Sequence, residues 1–145
     1  MKKTILLLVL FLTLLSCSTD DGGQNAMVNV LVPVTNVNLP ETFAAGETYD
    51  VEITYSPPTH CHQFAGIESE SEGNEFFLGV MNSYPPNDSS CEEKNGLISQ
   101  TSFSFTPEPN DFYIFNFWRG QDAAGNARFL RLTIPVDPPA SENSN

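Results

Sequence analysis

Short stretches in which apolar and polar residues alternate run through the middle of the chain. Residues 49–55 (YDVEITY) and 102–106 (SFSFT) both follow this pattern. A period of two indicates a β-strand with one buried face, and no stretch shows the helical period of 3.6. The pattern therefore predicts an all-β protein.

Five further segments extend the β pattern: 27–34, 62–67, 76–81, 112–118 and 127–136. Proline and glycine lie mainly between the segments, where turns require them. Pro33 lies inside the first segment and predicts an edge strand or an early end to it. About seven short strands separated by turn residues are typical of a β-sandwich or a β-barrel.

Alternation in the last two strands predicts which side chains face the core. We expect Tyr113, Phe115 and Phe117 inside, with residues 130, 132 and 134 of the next strand. The side chains between them face outward and are the candidate ligand-binding residues: Ile114, Trp118, Phe129 and Arg131. Such a patch could stack sugar rings or anchor a protein partner. In the alternative, the loop 82–96 covers Trp118 and extends the core.

Two motifs narrow the fold. Asp111 lies two residues before Tyr113, at the start of a strand that follows a proline-containing turn. This resembles the tyrosine corner of immunoglobulin-type sandwiches, in which the hydroxyl bonds to upstream backbone. Residues 122–126 (DAAGN) are similar to the tip of the last hairpin in bacterial immunoglobulin-like repeats. The resemblance implies an immunoglobulin-like antiparallel β-sandwich over 27–137, and it leaves the function open.

The first 17 residues have the organisation of an export signal. Lys2 and Lys3 precede an apolar run over 5–15 that only Thr13 interrupts. This run is too short to span a bilayer, which takes about 20 residues. Its ending, Ser16-Cys17, resembles the lipobox of bacterial lipoproteins, in which the cysteine is lipidated and becomes the N-terminus. The alternative is an ordinary cleaved signal peptide.

The segments on either side of the predicted domain are polar. After a signal peptide over 1–16, residues 17–26 predict a flexible acidic tether, and residues 138–145 predict a disordered tail. Residues 18–21 (STDD) resemble the bacteroidetes-type lipoprotein export signal. That resemblance implies an anchor on the outer face of the outer membrane, and the alternative is an anchor that faces the periplasm.

The charge of the chain restricts its partners. Six basic and 18 acidic residues give a net charge of −12, and loss of Lys2 and Lys3 would make it more negative. Such a chain repels nucleic acid and anionic head groups. We therefore expect no nucleic-acid partner, and membrane association through the acyl chains at Cys17 alone.

Lipidation of Cys17 leaves Cys61 and Cys91 as the only possible cysteine pair. Export to an oxidising compartment favours a disulfide between them over two free thiols. The competing interpretation is two separate buried thiols.

His60 and His62 flank Cys61 in a pattern that suggests a metal site. At i and i+2 in a strand both imidazoles would share one face. The chain has no other histidine, so a third ligand would have to be a carboxylate such as Glu92 or Glu93. The alternative is two solvated histidines at the start of a strand.

The acidic residues over 68–75 lack the alternating spacing of calcium loops and predict a solvated hairpin. No catalytic triad, phosphate-binding loop or carboxylate pair has a recognisable spacing. We therefore predict no enzymatic activity and no cofactor. The expected function is that of a lipid-anchored binding or structural module of the bacterial envelope, whose ligand is a glycan or an envelope protein. Metal binding at His60 and His62 is the competing hypothesis.

The lipidation hypothesis predicts that Cys17→Ser releases the protein from membranes. Without a thiol at this position no acyl chain can attach, and an acidic domain has no other attraction for the bilayer. Cell fractionation and radiolabelled palmitate incorporation measure the two effects. A Cys17→Ser variant that still fractionates with membranes would contradict the hypothesis.

Overall fold

The computed structural model describes residues 26–137, in which two β-sheets pack face to face without any α-helix. Its nine strands are β1 (Val28–Val32), β2 (Val34–Asn38), β3 (Phe43–Ala44), β4 (Tyr49–Tyr55), β5 (Gln63–Glu72), β6 (Glu75–Tyr84), β7 (Ser99–Phe105), β8 (Phe112–Gln121) and β9 (Ala127–Asp137). The all-β sandwich is confirmed.

The predictions for the signal peptide 1–16, Cys17, the tether up to residue 25 and the tail 138–145 lie outside the described residues. Between 26 and 137 no helix is long and apolar enough to cross a membrane.

The larger sheet is built around β6. Along one edge β6 pairs with β5 from Glu75 to Ser83. Its other edge is shared, because Glu75–Leu78 pair with β8 and Val80–Tyr84 pair with β1. Strands β9 and β3 continue the sheet beyond β8, and the smaller sheet has the order β2-β4-β7.

The strand count and direction differ from the sequence prediction in two respects. Pro33 divides the first predicted strand, so that β1 joins the larger sheet and β2 the smaller one. The sequence pattern did not predict the short β3, which has only two residues. The sheets are also not purely antiparallel, because β6 pairs with β8 and β3 with β9 in parallel. The β6–β8 pairing is parallel since the chain crosses to the smaller sheet as β7 between them.

The core lies between the inner faces of the two sheets. The alternation of apolar and polar residues along the strands explains which side chains belong to it. Tyr113, Phe115 and Phe117 of β8 are buried, as predicted. On β9 Ile134 is buried and residues 130 and 132 are half-buried, while 129, 131 and 133 are exposed. Phe105 of the smaller sheet packs edge-on against Tyr113 and Phe115, with ring centroids 5.1 and 5.2 Å apart. Edge-to-face pairs of this kind add to the free energy gained by burial.

The hydroxyl of Tyr113 bonds back to the turn before its own strand. It accepts a hydrogen bond from Glu108 N (3.0 Å) and donates one to Glu108 O (3.2 Å). This is the contact that the resemblance to the tyrosine corner implies. At the other end of β8, Asp122 Oδ1 accepts hydrogen bonds from Ala124 N and Asn126 N, each 2.9 Å long. These bonds lower the pKa of the Asp122 carboxyl, those from Asn126 most.

The predicted disulfide between Cys61 and Cys91 is present. It joins the connection before β5 to the long connection between β6 and β7. Two backbone contacts reinforce it there, a bridge between Thr59 and Glu93 and a 2.9 Å hydrogen bond from Lys94 N to Pro58 O. The disulfide closes a loop with a sequence separation of 30, for which the chain-entropy model gives about 3–4 kcal/mol of stabilisation.

Removal of the Tyr113 hydroxyl tests the corner. Tyr113→Phe should lower the free energy of unfolding by about 1–2 kcal/mol, because two hydrogen bonds at a largely buried group are lost. Urea denaturation measures the change. Tyr84→Phe, which removes a hydroxyl outside the corner, is the matched control and should change stability by less. Equal effects of the two substitutions would contradict a specific role for the corner.

Candidate functional site

The outer face of the larger sheet carries an open groove of about 670 Å³. We call it the outer groove. The residues that line it come from five strands: Leu31, Ile67, Glu68, Ser69, Glu70, Phe77, Leu78, Gly79, Trp118 and Phe129. It lies where β1 and β8 both approach β6, and three of the lining residues are aromatic.

Alternation on three neighbouring strands turns the aromatic side chains outward. Trp118 and Phe129 are direct partners across the β8–β9 pairing, so their side chains share a face. The ring of Phe77 meets that of Phe129 edge-on, with centroids 5.8 Å apart. Phe77 and Phe129 remain 37% and 42% exposed. Large apolar side chains held in contact and yet accessible mark an interaction surface.

Gly79 forms the floor of the outer groove beneath Leu31. A Cβ atom at position 79 would lie 2.7 Å from Leu31 Cδ2, which is closer than real Cβ contacts come. The absence of a side chain therefore lets Leu31 rest on the backbone of β6. Leu31 itself is 38% exposed, so it forms an apolar wall and not part of the core.

Carboxylates form the rim on the side of β5. Glu68 pairs with Gly79 and Glu70 with Phe77, and directly opposite residues of a strand pair point to the same face. Both glutamates are exposed. One side of the groove is thus acidic.

The structure separates the four candidate ligand-binding residues. Trp118 and Phe129 line the outer groove, whereas Ile114 and Arg131 do not. Nη1 of Arg131 forms an ion pair with Oε1 of Glu75 (2.6 Å) and donates a hydrogen bond to Oδ1 of Asn116 (3.3 Å). The charge of Arg131 is therefore paired with a neighbouring carboxylate on the same sheet.

Trp118 is half-buried, and the lining of the outer groove includes no residue of 82–96. That loop is instead attached to the region around Thr59 by the disulfide and its backbone contacts. The alternative in which this loop covers Trp118 finds no support in the lining of the outer groove.

Sequence reasoning missed Leu31, Phe77, Glu68 and Glu70 as groove residues. The outward position of Phe77 could be found from its alternation with the buried Leu78. The other three lie beside the aromatic residues only because of how β1 and β5 pair with β6, and no local pattern carries that information.

The histidines do not have the predicted strand geometry. Residues 59–62 form a turn closed by a 3.3 Å hydrogen bond from His62 N to Thr59 O, and β5 begins at Gln63. His62 Nδ1 lies 2.8 Å from Thr59 Oγ1, and its ring stacks on Tyr84 at 4.4 Å. Burial lowers the pKa of His62, and a hydrogen bond with the backbone of Thr59 opposes this in part.

Within residues 26–137 only one group of three potential metal ligands lies close together, and neither histidine belongs to it. It consists of Asp88 with Cys61 and Cys91. Since both sulfur atoms are in the disulfide, they offer no thiolate to an ion. The predicted carboxylate ligands Glu92 and Glu93 do not complete a site with His60 and His62 either.

No protein-family model, curated protein or solved structure matches this chain. The functional interpretation therefore depends on the geometry of the outer groove and on the charge around it.

The environment of His62 predicts a pH-dependent stability. A folded-state pKa below the unfolded value of about 6.5 means that the unfolded chain binds the proton more readily. The contribution of neutral His62 to the free energy of unfolding is complete above pH 6.5. It is lost as the pH falls from there through the lowered folded-state pKa. Urea denaturation at pH 7 and pH 5 should show a smaller decrease for His62→Gln than for the wild type. The exposed His60→Gln should retain the decrease, and equal pH dependences in both variants would exclude His62 as its source.

Proposed function

We propose that the protein is a lipid-anchored, non-catalytic module of the bacterial cell envelope that binds a neutral glycan in the outer groove. The observation that carries the glycan assignment is the aromatic surface formed by the exposed Phe77 and Phe129 and the half-buried Trp118 beside two carboxylates. The sequence features of the first 21 residues support the anchor and its placement on the outer membrane surface.

The chemistry of the lining suits a sugar. Pyranose rings present flat C–H faces that pack on aromatic rings, and their hydroxyls need hydrogen-bond acceptors. Trp118 and Phe129 supply the aromatic faces, and the carboxylates of Glu68 and Glu70 supply acceptors along one edge. A small number of polar groups around an apolar surface is the usual composition of a small-ligand site.

The dimensions of the outer groove favour a glycan over a folded protein. Ten residues line it, whereas a stable protein–protein interface uses about 20–30 residues on each side. Its open form also suits a chain that passes along the sheet, since a deep pocket would admit only a chain end.

Charge selects among glycans. The rim carboxylates and the net charge of −12 repel sulfated and uronic-acid chains. Neutral polysaccharides avoid this penalty. The tether would hold the domain away from the membrane, where such a polymer is accessible.

Substitution of Phe129 tests the proposal. In affinity electrophoresis through gels that contain neutral polysaccharides, the full chain should be retarded, and Phe129→Ala should weaken binding by about tenfold through the loss of aromatic contact. Phe112→Ala is the matched control, because Phe112 has nearly the same exposure (40%) and lies outside the outer groove.

Trp118 provides a second readout, because it is the only tryptophan of the chain. A binding sugar should change the Trp118 fluorescence emission of the wild type and of Phe112→Ala to the same extent, and that of Phe129→Ala less. Retardation by anionic but not by neutral polysaccharides, or unchanged binding by Phe129→Ala, would refute the proposal.

A further inference from the structure

The smaller sheet ends in a strand whose outer edge has no described partner. Strand β7 pairs with β4 over all seven residues from Ser99 to Phe105 without a register shift. No described strand pairs with its other edge. In an antiparallel ladder the N–H and C=O groups of every second residue point away from the neighbouring strand. The edge of β7 therefore presents a regular row of backbone donors and acceptors.

This edge lacks the devices that normally prevent strand addition. Natural edge strands carry charges, prolines or bulges that discourage pairing. The sequence of β7 (SQTSFSF) contains none of these. By contrast, β5 has a bulge between Phe64 and Gly66 and three glutamates, and β2 has an irregularity between Val34 and Asn36. The difference singles out β7 among these three strands.

An apolar cavity opens beside the same edge. It has a volume of about 290 Å³ and lies between the two sheets. Its lining combines side chains of β7 and β5 with others from the centre of the larger sheet: Ile67, Ser69, Phe76, Leu78, Phe103, Phe105 and Phe115. Ser69 is the only polar residue among them. Since an apolar cavity of about 150 Å³ can hold a benzene ring, this one has room for one or two large aliphatic side chains.

We propose that β7 accepts an additional strand from a partner protein, and that alternate apolar side chains of this strand fill the cavity between β5 and β7. Main-chain hydrogen bonds to the β7 edge would supply affinity, and the cavity would select the side chains. The cavity shares Ile67, Ser69 and Leu78 with the lining of the outer groove, whereas no residue of β7 lines that groove. Strand addition at the β7 edge therefore does not require glycan binding in the outer groove.

The described surface also indicates the chemistry of the partner strand. Its outward side chains would lie beside Ser102 and Ser104 of β7, on the face that carries the exposed Asp50 and Glu52 of β4. Ser104 Oγ already donates a 2.9 Å hydrogen bond to Asp50 Oδ1. Basic residues at the outward positions would complement these carboxylates. The expected segment therefore alternates large aliphatic and basic residues.

Other occupants fit less well. Residues 18–25 (STDDGGQN) and 138–145 (PPASENSN) contain no large apolar side chain that could enter the cavity. A second copy of the chain would bring together two proteins that each have a net charge of −12, and their repulsion opposes association.

A synthetic peptide tests the site on the full chain. The probe is a fluorescent decapeptide of alternating lysine and isoleucine, and anisotropy measures its binding. We expect saturable binding and slower amide hydrogen exchange within residues 99–105. A peptide of alternating lysine and serine should bind at least tenfold more weakly, because it cannot fill the cavity. A lysine–isoleucine peptide with one central proline should also lose affinity, because proline cannot donate to the ladder.

Two substitutions of the same type separate the cavity from the exposed face. Ser69→Leu places an isobutyl group in the cavity and should weaken peptide binding by at least tenfold. Ser102→Leu makes the same chemical change on the outward face of β7 and should leave the affinity within about twofold. Equal affinities of the two variants would overturn the proposal, as would equal binding of the lysine–serine peptide.

Two further outcomes would assign the edge to a different occupant and thereby refute a heterologous partner. One is concentration-dependent dimerisation that slows exchange in 99–105 without any peptide. The other is occupation of the cavity by lauric acid, used as an acyl-chain probe, that prevents peptide binding and leaves exchange along the β7 edge unchanged.

Discussion

The period of two along β8 places Tyr113, Phe115 and Phe117 in the core and turns Trp118 to the outer face of the larger sheet. A one-residue slip would exchange these faces and expose the aromatic core. The register is fixed at one end by the hydrogen bonds between Tyr113 and Glu108. At the other end the Asp122 turn closes the hairpin to β9. The outer groove thus depends on the same constraint as the hydrophobic core.

The two sheets are unequal, and this accounts for both unfilled surfaces of the molecule. The larger sheet places β1, β5, β8 and β9 around or beyond β6, whereas the smaller sheet ends at β7. Aromatic side chains on the outer face of the larger sheet have no layer above them. On the inner side, the cavity opens between the last strand of the smaller sheet and β5. A sandwich with matched sheets would bury more of this apolar surface.

Local alternation was sufficient to predict most strands, the buried side chains of β8 and the outward position of Trp118. The prediction of export led to the pairing of Cys61 with Cys91, which the structure contains. Local patterns could not predict which distant strands pair with each other, because every strand with one apolar face shows the same period of two. The contact of Leu31 with Gly79 depends on β1 sharing an edge of β6 with β8. His60 and His62 were assigned to a strand because alternation does not detect a turn such as 59–62.

The distribution of charge over the β5 and β7 edges links the proposed sites. On β5 the exposed carboxylates of Glu68 and Glu70 discourage pairing at that edge and also form the acidic rim of the outer groove. On β7 the side chains are neutral, so pairing there meets no local repulsion. If the carboxylates served only solubility, either edge could carry them equally well. Under both proposals, their concentration on β5 would direct strand addition to β7 and leave the aromatic face of the larger sheet free for a small, uncharged ligand.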